Sequence, residues 1–229
     1  RMAGEWFPIS PSTGIRQGSP EEQAAQAASL GCPLLIKPAG GGGGIGMTPV
    51  LEESKLAQAI ESAGKLAVRS FGRHALYAER LLENPRHVEF QIVCDRQNRG
   101  VHLFERDCST QRRRQKVVEE AGAPNIPAAE LKAMADRAAE VMSRLGYDHL
   151  GTVETLYSPE SGFSFLEVNP RLQVEHGVTE EITGLDLVEM PIKLAAGTPL
   201  TEAMPRRPES PAGHAVWARL PPHDLSKFS

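Results

Sequence analysis

Residues 165–179 read FLEVNPRLQVEHGVT, from Phe165 to Thr179. Glu167, Asn169, Arg171, Gln173 and Glu175 take alternate positions, with apolar residues or Pro170 between them. An extended chain turns alternate side chains to one face, so the pattern predicts five polar groups along one side of a strand that Pro170 disturbs midway. Ordinary sheets with one wet face alternate in the same way. A solvated face is seldom built from Glu, Asn, Arg, Gln and Glu with no Lys, Ser or Thr. This mixture supplies oxygen ligands for a hard cation, a guanidinium fork for an anion and a spare carboxylate as base.

Working outward, GTVETLY just before this stretch reads as a buried strand carrying one acid, Glu154. An unpaired charge in a core strand is costly. Across a turn at Ser158–Gly162, Glu167 and Asn169 are its natural companions, and a shared divalent cation would satisfy all three. Further upstream, CSTQRRRQKVVEEAGAP concentrates Arg112, Arg113, Arg114 and Lys116, which by itself is more often a solvated face than an anion site. HVEFQIVCD alternates cleanly, with His87, Glu89 and Gln91 on one side and Val88, Phe90 and Ile92 on the other. Gly40 to Gly44, then Ile45, Gly46 and Met47, follow a short apolar strand PLLIK that ends at Lys37. Glycine lets consecutive N–H groups surround an anion, although flexible linkers look alike. The Walker order, with Lys after the glycines, is absent.

Punctuation signals place the remaining elements. Ser19 as N-cap, Pro20 at the first position and Glu22 for a capping box open an Ala-rich helix that stops at Gly31. A second helix is expected over about Glu52–Ser62, and a strand over Ala75–Leu82 leads to a turn at Asn84–Pro85. Pro127–Leu145 is the clearest helix, with Leu131, Met134, Ala138, Val141, Met142 and Leu145 on one stripe and Gly146 as the stop. TEEITGLDLVEMPIKLAAGTPL reads as helical, interrupted at Gly184 and distorted at Pro191, and GHAVWARL returns to strand character. Residues 1–18 lack periodicity and read as loop or linker.

At 229 residues, with 40% hydrophobic and 24% charged residues, the chain has the composition of a soluble globular protein. A net charge of −4 argues against nucleic-acid binding. No apolar run approaches the roughly 20 residues that span a bilayer, so no membrane partner is expected. Cys32, Cys94 and Cys108 are widely spaced and odd in number, which suits a reducing, cytoplasmic setting.

Four blocks in order, IKPAGGGGGIGM, ENPRHVEFQIVCD, CSTQRRRQKVVEEAGAP and FLEVNPRLQVEHGVTEEITGLDLVE, closely resemble the biotin carboxylases of the ATP-grasp superfamily, over about residues 19–220. The resemblance implies an α+β ATP-grasp fold: a glycine-loop lid over 10–81, a larger antiparallel-sheet lobe over 82–210 and the start of a C-terminal domain over 211–229, with 1–9 a linker remnant. It also implies that a preceding domain and most of the last one lie outside this sequence, so that the chain alone turns over poorly. Such enzymes make carboxyphosphate from bicarbonate and MgATP (or the Mn2+ complex) and carboxylate biotin on a carrier protein, working with a carboxyltransferase and usually as homodimers.

Matched block by block, Lys37, Gly42, Gly43, Gly44, Gly46 and Met47 correspond to ATP phosphate contacts. Glu79, Leu82, His87 and Gln111 correspond to the rest of the nucleotide site. Glu154, Glu167 and Asn169 resemble the metal ligands, and Lys116, Arg171, Gln173, Val174 and Glu175 the bicarbonate site, with Glu175 as base. Arg219 stands where the family stabilises the biotin enolate. The sequence departs from the pattern at Ile45 and Arg114, and again at Gly177 for Pro and Trp217 for Glu near the biotin end. Two alternatives remain: a carbamoyl-phosphate synthetase-like ligase, which should lack the QRRxQK block, and a nucleotide-binding module without turnover.

Overall fold

The computed structural model describes residues 3–40, 46–206 and 208–220. Two units emerge, Ser10–Asn84 and a larger one made of Arg1–Ile9 with Pro85–Ser229. The opening segment corrects the linker reading: Ala3–Trp6 is a helical turn (α1) and Ser12–Ile15 a strand (β1). Phe7 is buried and stacks on Phe165 at 4.8 Å, while the Phe165 N–H donates to the Pro8 carbonyl, so residues 3–9 belong to the larger unit's core. Two aromatics without periodicity carry no helix or strand signal, yet their burial and stacking, with the hydrogen bond to Pro8, anchor the segment.

In the smaller unit, the capping box at Ser19 and Glu22 forms in full and starts α2 (Pro20–Ala28). Strands β2 (Leu34–Pro38), β3 (Thr48–Val50) and β4 (Leu76–Arg80) join β1 in an antiparallel sheet of order β1-β4-β2-β3. The second helix is longer than its sequence limits: α3 spans Leu56–Phe71, behind a short 3-10 turn at Glu53–Lys55. Leu34 and Ile36 pack with Leu56, Ile60, Ala63 and Ala67. Gly42, Gly43, Gly44 and Ile45 lie outside the described residues.

The larger unit is a six-stranded antiparallel sheet. It contains β5 (Arg86–Cys94), β6 (Gly100–Arg112), β7 (Gln115–Ala121), β8 (Leu150–Ser158), β9 (Gly162–Asn169) and β10 (Val216–Ala218), in the order β10-β7-β6-β5-β8-β9. Helix α4 (Ala128–Arg144) lays Leu131, Met134, Ala138, Val141 and Met142 over Val88, Phe90 and Ile92. Each of the larger side chains among them contributes roughly 1.5–3 kcal/mol by leaving water. Leu145, counted on that stripe from the sequence, sits at the C-cap and is exposed.

The second face of the sheet is covered by α5 (His176–Thr183), α6 (Glu189–Ala195) and α7 (Leu200–Ala203). Gly184 ends α5 in the left-handed region. Pro191 distorts nothing, because it falls in the first turn of α6, where a missing N–H breaks no intrahelical bond.

Two expectations need revising. The strand of alternating polar residues stops at Asn169, before Pro170, so Arg171, Gln173 and Glu175 lie in the connection to α5 rather than on a strand. The basic run is divided by a hairpin: Arg112 pairs with Gln115, and Arg113 and Arg114 form its two-residue tip with φ of +52° and +65°. Tight hairpin turns of that handedness favour Asn-Gly, since a Cβ is strained there. Replacing the tip by Arg113→Asn with Arg114→Gly should therefore stabilise the protein by about 1 kcal/mol, read as a higher melting temperature with unchanged secondary structure.

Candidate active site

A single irregularity aims the acids. Thr155 pairs with Phe165 but Glu154 pairs with Glu167, so Leu166 is an extra residue, a β-bulge. Without it Phe165 and Glu167, two residues apart, would share a face. The bulge lets Phe165 enter the core under α4 while Glu167 and Asn169 turn to the opposite face, beside Glu154 and Thr152. Glu89 and Gln91 on β5 pair with Glu154 and Thr152, and so stand on that same face.

Lys116, second residue of β7, enters this face and gathers it. Its Nζ donates to Glu89 Oε2 at 2.5 Å, to Glu154 Oε1 at 2.9 Å and to Glu175 Oε1 at 2.6 Å. An ammonium has three donors, and here three carboxylates take them. Glu175 passes the chain of charge on: its Oε2 accepts from Arg219 Nη2 at 2.7 Å, and Arg219 Nε donates to Glu119 Oε1 at 2.6 Å. Glu154 also accepts from Gln173 Nε2 at 3.0 Å and faces His87 Nε2 at 3.1 Å. The Gln111 amide reaches His87 Nδ1 at 2.8 Å. The same Gln111 Nε2 donates to the Cys108 carbonyl at 2.9 Å, which fixes that amide end between the hairpin backbone and the His87 ring.

Behind these groups lies Arg106, 0% exposed. Its Nε donates to Glu89, its Nη1 to Gln91 and Thr179, and its Nη2 to Thr152 and Gln173. The guanidinium thus fixes two residues, Glu89 and Gln173, that in turn hold Lys116 and Glu154.

Electrostatics follow from the geometry. Burial pulls the Glu154 carboxyl up, but the His87 hydrogen bond and the Lys116 charge outweigh it and hold it well below the usual carboxylate range. Glu175 is likewise lowered, with Lys116 overcoming burial. Lys116 is raised: desolvation disfavours its charge, but Glu89, Glu154 and Glu175 favour it more. Glu119 shifts the other way, since burial exceeds the help from Arg219, and its Oε2 has no hydrogen-bond partner among the described residues. The Cys94 thiol, buried near Asp95, is pushed up to about 12, and that of buried Cys108 is also raised. All three cysteines are free, and neither buried thiol is a nucleophile at neutral pH.

Of the residues singled out in the sequence, Lys116, Glu154, Gln173, Glu175, His87, Gln111 and Arg219 converge. Arg171 does not: its guanidinium is exposed and Nη1 donates to the Leu172 carbonyl at 3.2 Å. Pro170 ends the strand, so Arg171 leaves the face that the alternation assigned to it. Val174 is exposed too. Glu167 shares the face of Glu154 but remains exposed. In the smaller unit Lys37 Nζ donates to Glu79 Oε2 at 2.8 Å. Gly46 turns with a φ of +79°, Met47 precedes β3, and Leu82 lies beyond β4.

The sequence reading gave no role to Arg106, Glu119 or Thr179. The charge of Arg106 inside the strand-like VHLFERD was the available signal, as was the position of Glu89 between His87 and Gln91.

The acids suit a hard cation. Glu154 uses three of about four acceptor positions, and Glu167 is open to solvent. The buried Asn169 Nδ2 lacks a partner among the described residues, and since amide N and O are interchanged by a flip, an oxygen can stand at that position. These oxygen donors fit magnesium, which takes one or two carboxylates and keeps other positions for phosphate and water. By contrast, His87, Glu89 and Glu154 cluster closely enough for a metal, but the ammonium of Lys116 already neutralises two of them.

An α+β chain of antiparallel sheets, with clustered carboxylates, Lys116 and Arg219 on the face away from the core helix, defines an ATP-grasp protein. The chain belongs to the family described as "Carbamoyl-phosphate synthase L chain, ATP binding domain", whose sequence model matches residues 2–203. It is 41% identical over 227 residues to biotin carboxylase 2 of Bacillus subtilis, covering 99% of this chain and 51% of that protein. Among solved structures, a Campylobacter jejuni biotin carboxylase complex superposes with a TM-score of 0.83 at 36% identity, covering 95% of this chain and 48% of that one. The biotin carboxylase domain dimer of Hydrogenobacter thermophilus 2-oxoglutarate carboxylase, solved with MgADP, ADP and bicarbonate, also gives 0.83 at 36%, covering 95% and 47%. The chain spans about half the length of the curated relatives it matches.

Removing the central cation is a direct check. Lys116→Met leaves Glu89, Glu154 and Glu175 buried without it and should cost roughly 3–5 kcal/mol at neutral pH. In the wild type the lowered Glu154 and Glu175 contribute stability above the ordinary carboxylate range and lose it as pH falls through their depressed values. The raised Lys116 contributes below its ordinary range, so all three terms are present at pH 7. In the variant the acids lose their cation and shift upward, and the stability deficit should shrink between pH 8 and pH 5. Melting curves across that range measure the difference.

Proposed function

We propose that this chain carries the ATP-dependent carboxylation of biotin, with bicarbonate as the carbon source and carboxyphosphate as the intermediate. The observation that carries this reading is the position of Glu175, a carboxylate held at once by Lys116 and Arg219. A base, an ammonium and a guanidinium in contact are what an acidic oxyanion needs for deprotonation and charge neutralisation.

Glu175 is ionised at neutral pH, but two cations draw on its oxygens, which makes it a weak base. Bicarbonate entering beside it would take over part of the Lys116 charge. That exchange loosens the hold on Glu175 and raises its affinity for the proton, so the base strengthens when its substrate arrives. The bicarbonate oxygen freed of its proton attacks the γ-phosphorus of ATP; the P–O bond to ADP breaks and ADP leaves with the electron pair. Lys116 and Arg219 then offset the negative charge that builds as carboxyphosphate forms. The bond from its carboxyl carbon to the phosphate oxygen breaks to give CO2 and phosphate, the phosphate takes the N1′ proton of biotin, and the resulting enolate adds to CO2. Gln173 keeps Glu154 and Arg106 in register. Magnesium, when held by Glu154, Glu167 and Asn169, would supply charge neutralisation at the phosphates. Lys37, with the glycine loop, takes the role of an ATP phosphate contact.

A carrier protein bearing biotin and a carboxyltransferase are the partners this reading requires, and a homodimer is its expected assembly. No helix among the described residues is long and apolar enough to cross a membrane. The family match by itself also fits a ligase that phosphorylates carbamate, which would hydrolyse ATP with bicarbonate but ignore biotin.

The test is ATP hydrolysis by the intact enzyme with and without bicarbonate, and with free biotin added. Bicarbonate-dependent turnover and carboxybiotin are expected, and Glu175→Gln should lower kcat on the order of 100-fold. Turnover that needs bicarbonate but yields no carboxybiotin would transfer the chain to the carbamate reading. Glu154→Gln and Glu167→Gln should each remove most of the magnesium-dependent rate. Arg171→Lys should leave the bicarbonate dependence unchanged, because the exposed guanidinium bonds the Leu172 carbonyl and not the Lys116–Glu175–Arg219 cluster; a lost bicarbonate effect would bring Arg171 back into the site as a two-point contact.

A further inference from the structure

Gly177 and Trp217, separated by forty residues of sequence, meet where the indole fills the space a side chain at 177 would need. A Cβ built on Gly177 would lie 1.9 Å from Trp217 Cζ3 and 2.8 Å from both Cε3 and Cη2. Gly177 has no left-handed φ, so its backbone does not require glycine. It is the second residue of α5, where alanine would ordinarily strengthen the helix. What glycine provides here is room for the benzene edge of the indole. The His176 ring flanks the same indole, with centroids 6.2 Å apart.

The strand that carries Trp217 has little else to seat it. β10 is a three-residue edge strand with every residue exposed, paired only with β7 among the described strands. Trp217 is paired with Glu119, and strand alternation puts Arg219 on the same side as Trp217. Arg219 donates from its backbone N–H to the Val117 carbonyl and from its guanidinium to Glu119 and Glu175. The indole seated on α5 therefore stands next to the residue that reaches the base at the start of α5.

We infer that the indole of Trp217, lodged in the notch left by Gly177, is the positioning element that holds β10 against α5 and keeps the Arg219 guanidinium on Glu175 and Glu119. Gly177 and Trp217 act as one unit. Either residue changed alone loses the contact, and changing both loses nothing more. The pair deepens the biotin carboxylase reading, on which only the activity arm of its test depends.

The experiment uses Gly177→Ala, Trp217→Leu and the double variant in the intact enzyme. Each single variant should lower kcat for biotin carboxylation about tenfold, a loss expected from a modest misplacement of one catalytic group. The KM for ATP should stay within about twofold, because the ATP contacts proposed above are left intact. The double variant should match the singles rather than multiply them, the mark of two residues sharing one contact. The sequence has two tryptophans, and the Gly177→Ala protein should show a red-shifted emission that disappears when Trp217→Leu is added. Losses that multiply, or a kcat left unchanged while the emission shifts, would overturn the inference. An unshifted emission in Gly177→Ala would do the same, by showing that the indole never left. If the wild type makes no carboxybiotin, the functional reading fails on its own. The inference is then decided by the NMR signal of the Arg219 Nε–H bonded to Glu119, which must weaken in both single variants and overturns the idea if it persists.

Discussion

Three donors on one ammonium hold the second face of the large sheet together. Glu89, Glu154 and Glu175 come from β5, β8 and the approach to α5, and each is nearly or wholly buried. Without Lys116 their mutual repulsion and lost hydration would oppose folding of that face. Counted as a set, Lys116, Arg106 and Arg219 meet four acids, since Glu119 joins through Arg219. Glu119 is also the acid whose affinity for a proton rises on burial.

The same face depends on a backbone detail. Strand pairing with strict alternation would set Phe165 and Glu167 on one side, and either an aromatic ring would face the acids or an acid would face the core. The extra residue Leu166 resolves the conflict. It costs one unpaired position in the ladder and leaves a leucine partly exposed. In return, the stacked Phe7–Phe165 pair and the Glu154–Glu167 pair both form. Core packing and site geometry are thus settled at one residue.

Much of this was legible from local signals. The capping box at Ser19, the alternation of β5, the long amphipathic α4 and the Ser158–Gly162 turn all depend on neighbours in sequence, and all form. Departures arise where distant contacts decide. Trp6 and Phe7 carry no period, and only Phe165 and the core of the larger unit reveal their place. Pro170 marks a disturbance in the sequence, and alternation extended past it assigns Arg171 to the face that its exposed guanidinium leaves. Arg106 looked like any polar strand residue, because its five hydrogen bonds come from β5, β8, α5 and the segment before α5. A single sequence records which charges are present without recording which of them close on one another.

Closure of the charges on one another bears on how the site would work. Arg106, Lys116 and Arg219 each have carboxylate partners, so an anion entering between them would not simply fill an attractive hole. It must exchange with Glu175 for Lys116 and Arg219, and its binding energy is the difference between two ion pairs rather than the worth of one. Weak ground-state binding follows. The same exchange unmasks the carboxylate, and the gain therefore appears when the proton moves and charge builds on the transferred oxygen. An interaction that is stronger at that stage than on first encounter lowers the barrier instead of deepening the well before it. The self-satisfied network is in this sense the stabilising core of the face and, under the proposed function, would also hold Glu175 in reserve as base until an anion displaces the cations.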